Sequence, residues 1–308
     1  TGASAGIGAA FARRLAQEGF ELVLVARRED ALKALAKELH KEHKVKVHIV
    51  AQDLAQADGA AKVKAATDKL GVTVSFLVNN AGYGSWGQFI NLDHASEAAM
   101  SIVPRQLRAA MIDLNCRGTM LMAAAYAGEM AQRGKSAICI TASTAALQPC
   151  PFFATYAATK AFDLSFANAL WAELKPHGVD VVAICPGYTK TEFQEVAGID
   201  KEFKGVWRMP EQVVDTCLRG LGRGPVAIDG LMNYLGGLGA KFAGPGLPRR
   251  CGGHRPPDRA ARPQARLRRG ADWPHGPHRA RGACKRWSGH RRDPGAPSGS
   301  RTRIRRCR

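Results

Sequence analysis

From Leu22 to Ile228 the chain alternates short apolar runs with longer stretches whose apolar residues recur every three or four positions. Runs of the first kind stand at Leu22 to Val25, Val45 to Val50, Val74 to Val78, Ala137 to Thr141, Val179 to Ile184 and Pro225 to Ile228. Between them, Leu32, Leu35 and Leu39 mark one helical face, Val63 and Leu70 another, and a long helix is predicted around Leu107 to Met130. A further helix is predicted from about Thr155 to Lys175, stopped by Pro176 and Gly178. Near-continuous apolar strands separated by amphipathic helices predict an α/β fold with a doubly wound parallel sheet, Rossmann-like, in three αβα layers.

Both ends depart from this pattern. Thr1 falls inside a glycine-rich turn, with none of the apolar residues of the strand that should feed it, so the first strand of the sheet is expected to be missing. From residue 244 onward, sequence rich in Gly, Pro and Arg replaces the apolar periodicity. Residues 1–243 therefore read as one nucleotide-binding domain. Residues 244–308 read as a basic tail that cannot build a core, disordered or out of frame. An unchanged reading frame in the source DNA would contradict the second alternative.

Charge changes the picture only once it is located. The formal net charge is +19, but residues 249–308 hold 19 of the 45 Lys and Arg and 3 of the 26 Asp and Glu. The rest of the chain is left near +3, ordinary for an enzyme. An Arg-rich arm could bind nucleic-acid phosphates, but the tail reads first as unstructured sequence, and no nucleic-acid partner is expected. The eight cysteines stand singly, without a C-x-x-C pair or disulfide-framework spacing, which fits a reducing compartment. No apolar run approaches the roughly 18 residues of a membrane span, and no secretory leader is visible, so a cytoplasmic address is expected. His40, His43 and His48 sit among Lys41, Lys44 and Lys46 and read as solvated surface, so no metal is expected.

Candidate chemistry gathers where the strands end. The opening TGASAGIG sets Gly2, Ser4, Gly6, Ile7 and Gly8 at the start of a helix whose Ile7, Phe11 and Leu15 share a face. Glycine there permits a tight turn and lets backbone approach a pyrophosphate, and the helix N-terminus offers unpaired N–H groups. No Gly-Lys-Ser/Thr follows, which makes a phosphate-loop NTPase the weaker reading. At the end of the next strand, where an NAD site places Asp or Glu, the chain reads Ala26-Arg27-Arg28. Guanidinium groups there favour the 2′-phosphate of NADP(H), with NAD(H) less favoured. Asp53-Leu54 and Asn79-Asn80-Ala81-Gly82 close two more strands at the same sheet edge. Tyr156 and Lys160, four apart on one helix, put a phenol near an ammonium, and Ser143 lies just beyond a strand. Each motif alone has a plainer reading: a turn, two arginines that open a helix, an αL-tolerant Asn-Gly pair, a surface Tyr–Lys pair.

Together and in order, these motifs resemble the short-chain dehydrogenase/reductase family over about residues 1 to 242. TGASAGIG matches its glycine motif, NNAG its structural and cofactor motif, Asn115 in DLN its fourth catalytic residue, and Ser143 with YAATK its active site. Pro186, Gly187, Thr189 and Thr191 match its nicotinamide-side loop. The resemblance implies hydride transfer between NADP(H) and a small carbonyl or alcohol substrate. It implies Tyr156 as general acid/base, Ser143 holding the substrate oxygen, and Asn115 anchoring a water chain that resupplies the proton. Lys160 would lower the phenol pKa and bind the nicotinamide ribose. It also implies a homodimer or homotetramer. A non-catalytic NADP(H)-binding regulator is the alternative. Leu147, Phe152, Phe153, Tyr188, Phe193, Phe203 and Trp207 are expected to wall an apolar substrate side, fitting a ketone, aldehyde or 3-oxoacyl compound. The stretch Phe89 to Asn115 is longer than usual for the family, with Ser101 to Arg108 reading as an insertion.

Overall fold

A computed structural model describes residues 1–89, 105–199 and 206–242. All the described residues fall within one compact unit. The expected domain boundary at 243, the basic tail, Phe203 and the first half (101–104) of the 101–108 insertion lie outside the described residues.

Among the described residues six strands form: β1 Leu22–Ala26, β2 Val47–Ala51, β3 Phe76–Asn79, β4 Ser136–Thr141, β5 Val179–Cys185 and β6 Val226–Ile228. Every pairing among them is parallel. β1 pairs with β2 (Leu22 with Val47), while β3, β4, β5 and β6 form a second sheet in that order. β1 and β3 do not pair with each other. A cavity of about 300 Å³ lies between them, lined by Leu22 to Val25 on one side and Phe76 to Val78 on the other. The turn spans this gap: Ala3 N–H donates to the Val25 carbonyl, and Thr1 Oγ1 accepts from Asn80 N–H at 2.9 Å.

Helices cover the strands because their apolar stripes match the sheet faces. Helices α1 (Gly6–Gln17) and α2 (Glu29–His43) bury Phe11, Leu15, Leu32, Leu35 and Leu39. The last three follow the spacing that predicted the helix. Helices α3 (Gly59–Leu70), α4 (Arg105–Ile112) and α5 (Thr119–Arg133) follow, with Val63, Met122, Tyr126 and Met130 in the main core. The long helix expected over Leu107 to Met130 forms without a gap, but it is not α-helical throughout. A π-helical turn, Asp113–Gly118, separates α4 from α5 and carries Asn115. One residue too many per turn is invisible to a 3.6-residue periodicity, which counts faces rather than hydrogen bonds.

Helix α6 (Ala154–Leu174) ends where the sequence predicts, in a short turn containing Pro176, with Gly178 at φ +73°. The short helix α7 (Phe193–Val196), then α8 (Pro210–Gly220) and α9 (Leu231–Phe242), complete the described chain. None of the described helices is long and apolar enough to cross a membrane. Leu32 is fully buried on α2, so Leu32→Ala should cost about 2–5 kcal/mol in urea unfolding, and a loss below about 1 kcal/mol would contradict the packing described.

Candidate active site

Strand ends and the loops after them converge on one cleft of about 670 Å³ at the carboxyl edge of the sheet. The sequence-predicted residues Gly2, Ser4, Gly6, Ile7, Arg27, Arg28, Asp53, Leu54, Ala81 and Gly82 all line it. So do Ser143, Tyr156, Lys160, Pro186, Gly187, Thr189 and Thr191. Two expected cofactor residues do not. Gly8 is structural: a Cβ there would come 2.2 Å from the Gly2 carbonyl oxygen, so only glycine lets the helix pack against the turn. Asn79 is buried and its Nδ2 donates to the Thr119 carbonyl at 3.1 Å, away from the cleft. Strand alternation turns the neighbour outward instead. Asn80 lines the cleft, its Oδ1 accepting from Thr141 Oγ1 at 3.2 Å.

At the nucleotide end, Gly6 adopts φ +54°, and a Cβ there would lie 3.0 Å from Thr191 Cγ2. The Gly6 backbone thus lies close under the Thr191 side chain, where a bulkier residue would fill the cradle. The N-terminus of α1 is capped by no side chain, because Ala5 holds the N-cap position, and its first turn contains no acid. Unpaired amides beside a glycine-lined cleft are the arrangement a pyrophosphate fits. The two arginines divide their work. Arg28 donates to Ser4 Oγ at 3.2 Å and pairs with Glu192 at 2.9 Å, tying the glycine turn to the loop after β5. Arg27, exposed at the end of β1, lines the cleft where Ala26 replaces an acid.

At the reacting end, α6 carries Tyr156 and Lys160 one turn apart, both buried. Lys160 Nζ donates to the Thr141 carbonyl at 2.7 Å and to Asp163 Oδ2 at 2.9 Å. Ser143 Oγ accepts the Ala145 N–H at 3.1 Å, and its hydroxyl shares a hydrogen bond with the Tyr156 phenol. Burial pushes the Tyr156 pKa up, and Lys160 and Ser143 pull it down without cancelling that rise. Lys160 therefore acts on the phenol in the direction the sequence analysis expects, but desolvation, which no motif reveals, outweighs it. Burial penalises the Lys160 ammonium more than any single interaction favours it, but Asp163, Tyr156 and Cys116 together outweigh the penalty and raise its pKa, Asp163 foremost among them.

Asn115 is fully buried, and its side chain is committed. Nδ2 donates to the Tyr83 carbonyl and to Thr159 Oγ1, each at 3.0 Å, and Oδ1 accepts Tyr83 N–H at 3.2 Å. It staples the loop after β3 to α6.

The far side of the cleft is apolar, as the sequence predicts, through Leu147, Phe153, Tyr188 and Phe193. Phe152 and Trp207 stand behind it: Phe152 packs on Trp86 with ring centres 5.2 Å apart, and Trp207 meets Tyr188 edge-on at 5.8 Å. Sequence reasoning missed Val196, Ile199, and Met232 and Asn233 of α9. Which side of α9 closes over Gly187 is decided by packing between distant segments. Arg208 and the buried Asp229 form a two-pronged pair at 2.9 and 3.0 Å, fixing the strand-like segment at Arg208 beside Thr189. That pair was missed because its partners lie on separate elements and match no motif. Cys116, Cys139, Cys185 and Cys217 are free thiols, whereas Cys150 is disulfide-bonded to a partner outside the described residues.

Comparison with known proteins places this cleft among relatives. The family model for short chain dehydrogenases matches residues 1–202. A very-long-chain 3-oxoacyl-CoA reductase of Podospora anserina is 34% identical over 235 residues, covering 76% of this chain and 64% of that protein. Its counterpart from Pyricularia oryzae is 36% identical over 182 residues, covering 59% of this chain and 52% of that one. The chain thus spans between half and two thirds of the length of these two relatives. Among solved structures, a short-chain dehydrogenase from Sphingobium yanoikuyae in complex with NADPH superposes with TM-score 0.67 at 33% identity, covering 79% of this chain and 92% of that one. A bulky-bulky ketone specific alcohol dehydrogenase from Comamonas testosteroni gives 0.63 at 30%, covering 79% and 91%. With its glycine turn, Ser143, Tyr156 and Lys160 gathered in one cleft and a family model matched over most of its length, the chain belongs to the short-chain dehydrogenase family.

Proposed function

We propose that this protein is an NADP(H)-dependent reductase of apolar carbonyl compounds, with a 3-oxoacyl thioester or a bulky ketone as substrate. The observation that carries this reading is the buried triplet of Ser143, Tyr156 and Lys160 facing an apolar wall in a cleft that also holds the glycine turn. Relatives named for very-long-chain 3-oxoacyl-CoA reduction, and a structural neighbour named for bulky ketones, support the substrate class. The uncapped helix α1 and Arg27 would hold the pyrophosphate and 2′-phosphate of the cofactor. Bound NADPH supplies the hydride.

The protein's own groups do the rest. Ser143 donates a hydrogen bond to the substrate oxygen and steadies the charge that develops on it. Tyr156 gives its phenolic proton to that oxygen. Because burial holds the phenol above its ordinary value of about 10, it stays protonated at neutral pH and is a ready acid for reduction. Lys160, charged and immobile, stabilises the phenolate left behind. Asn115 takes part in resupplying the proton, and since its side chain is engaged with Tyr83 and Thr159, that role falls to its backbone.

Address and assembly follow from the same reading. The four free thiols support a reducing cytoplasm, with the bonded Cys150 standing against it. Met120 on α5 and Phe162 on α6, the latter stacked on Phe166 at 5.7 Å, are exposed apolar side chains that support a homodimer or homotetramer.

Tyr156→Phe should lower kcat at least about 100-fold with NADPH binding nearly unchanged, whereas Lys160→Ala should harm both. Turnover near wild type in Tyr156→Phe would sink the assignment. Arg27→Ala should raise KM for NADPH by about tenfold and leave KM for NADH alone, and equal losses for both cofactors would remove Arg27 from the 2′-phosphate site.

A further inference from the structure

Asp163 belongs to none of the motifs that mark the site, yet it lies one turn below Lys160 on the same face of α6. Side-chain exposure of the Lys160–Asp163 pair is 6% and 1%, and the contact is 2.9 Å. One carboxylate oxygen, Oδ2, receives the ammonium; the other, Oδ1, is buried with no hydrogen-bond partner. As a stabiliser of the fold this is a poor arrangement. Two desolvated charges and an unsatisfied oxygen are commonly matched or bettered by apolar side chains of similar volume. The pair is better accounted for by what it does to the group beside it.

We propose that Asp163 is a positioning residue for proton transfer, holding Lys160 charged and fixed against the Thr141 carbonyl while setting how strongly that charge acts on Tyr156. This inference rests on the reading of Tyr156 and Lys160 given above. Without Asp163, a buried ammonium facing one carbonyl would be free to shed its proton or to swing. With it, Lys160 keeps the proton and points between Thr141 and the phenol. The carboxylate also lies near enough to act on the phenol directly, opposing part of the effect of Lys160.

The other titratable groups facing this cluster are two thiols. Cys116 comes from the π-helical turn and Cys185 from the end of β5, and burial pushes them up to about 11 and about 12. Both are neutral across the working range, so the charge near Tyr156 is set by Lys160 and Asp163. The sign then follows without assigning the proton to either partner. Tyr156 and Lys160 titrate as a coupled pair, and removing a nearby negative charge makes the first deprotonation of that pair easier whichever group loses the proton. Reduction requires the fully protonated pair. Its alkaline limb must therefore move to lower pH when the carboxylate is neutralised.

The test is the pH profile of kcat/KM for carbonyl reduction in Asp163→Asn and Asp163→Glu, read beside a titration of the cofactor-free protein by tyrosinate absorbance. In that titration each protein is measured against its own Tyr156→Phe counterpart, so that the difference isolates one phenol. Asp163→Asn should move the alkaline limb and the Tyr156 step down by about one pH unit, and Asp163→Glu, which keeps the charge, should restore both. If Asp163→Asn does not purify folded, Asp163→Ser carries the same expectation. An unshifted limb and an unshifted Tyr156 step in the folded neutral variant, with only thermal stability lost, would overturn the proposal. Full turnover in Tyr156→Phe would instead overturn the reading on which it rests, so the two failures are told apart.

Discussion

A charge buried at the end of a strand governs the architecture of this protein. Lys160 holds its ammonium almost out of water, and an ion placed there needs a carbonyl, a counter-charge and a rigid frame to remain. The carbonyl comes from Thr141 at the end of β4, the counter-charge from Asp163 on its own helix, and the frame from α6 packed against β4 and β5. Parallel pairing brings all the strand ends to one edge, so the glycine turn, the loop after β3 and Ser143 arrive at the same place. The same burial that makes Lys160 costly makes Tyr156 a phenol that keeps its proton. Fold and chemistry share one source, the exclusion of water from this corner of the sheet.

The nucleotide end obeys a different constraint, that of close approach. Gly6 of the glycine turn and Thr191 of the loop after β5 meet across the cleft, and Arg28 bridges the same two segments through Ser4 and Glu192. With Arg28 so engaged, Arg27 is the guanidinium the cleft can offer to a phosphate. Two adjacent, identical residues thus acquire different tasks from their neighbours, a division that reading the sequence as a pair of arginines does not reveal.

Much of the fold was legible because it depends on local periodicity. The six apolar runs match the six strands to within two residues at each end, and Leu32, Leu35 and Leu39 fall inward as their spacing requires. What escaped depends on contacts between distant elements. The π-helical turn at Asn115 shifts hydrogen bonds without shifting the apolar face. The outward choice of Asn80 over Asn79 is decided by strand phase at β3. The wall supplied by Met232 and Asn233 depends on where α9 lands, and the Arg208–Asp229 pair joins segments that no motif connects. That Ser143, Tyr156 and Lys160 would gather in one cleft was legible from their type and order. Their electrostatics were not, because desolvation is a property of the packed state.

The central claim is that Tyr156, kept protonated by burial and underlain by Lys160, delivers a proton as the carbonyl is reduced. Single-turnover oxidation of NADPH with a bulky ketone or 3-oxoacyl thioester, compared in water and in heavy water below the alkaline limb, tests it most directly. Proton delivery by the phenol predicts a solvent isotope effect above one on the chemical step. A chemical step with no solvent isotope effect, in a protein that turns the substrate over, would contradict it.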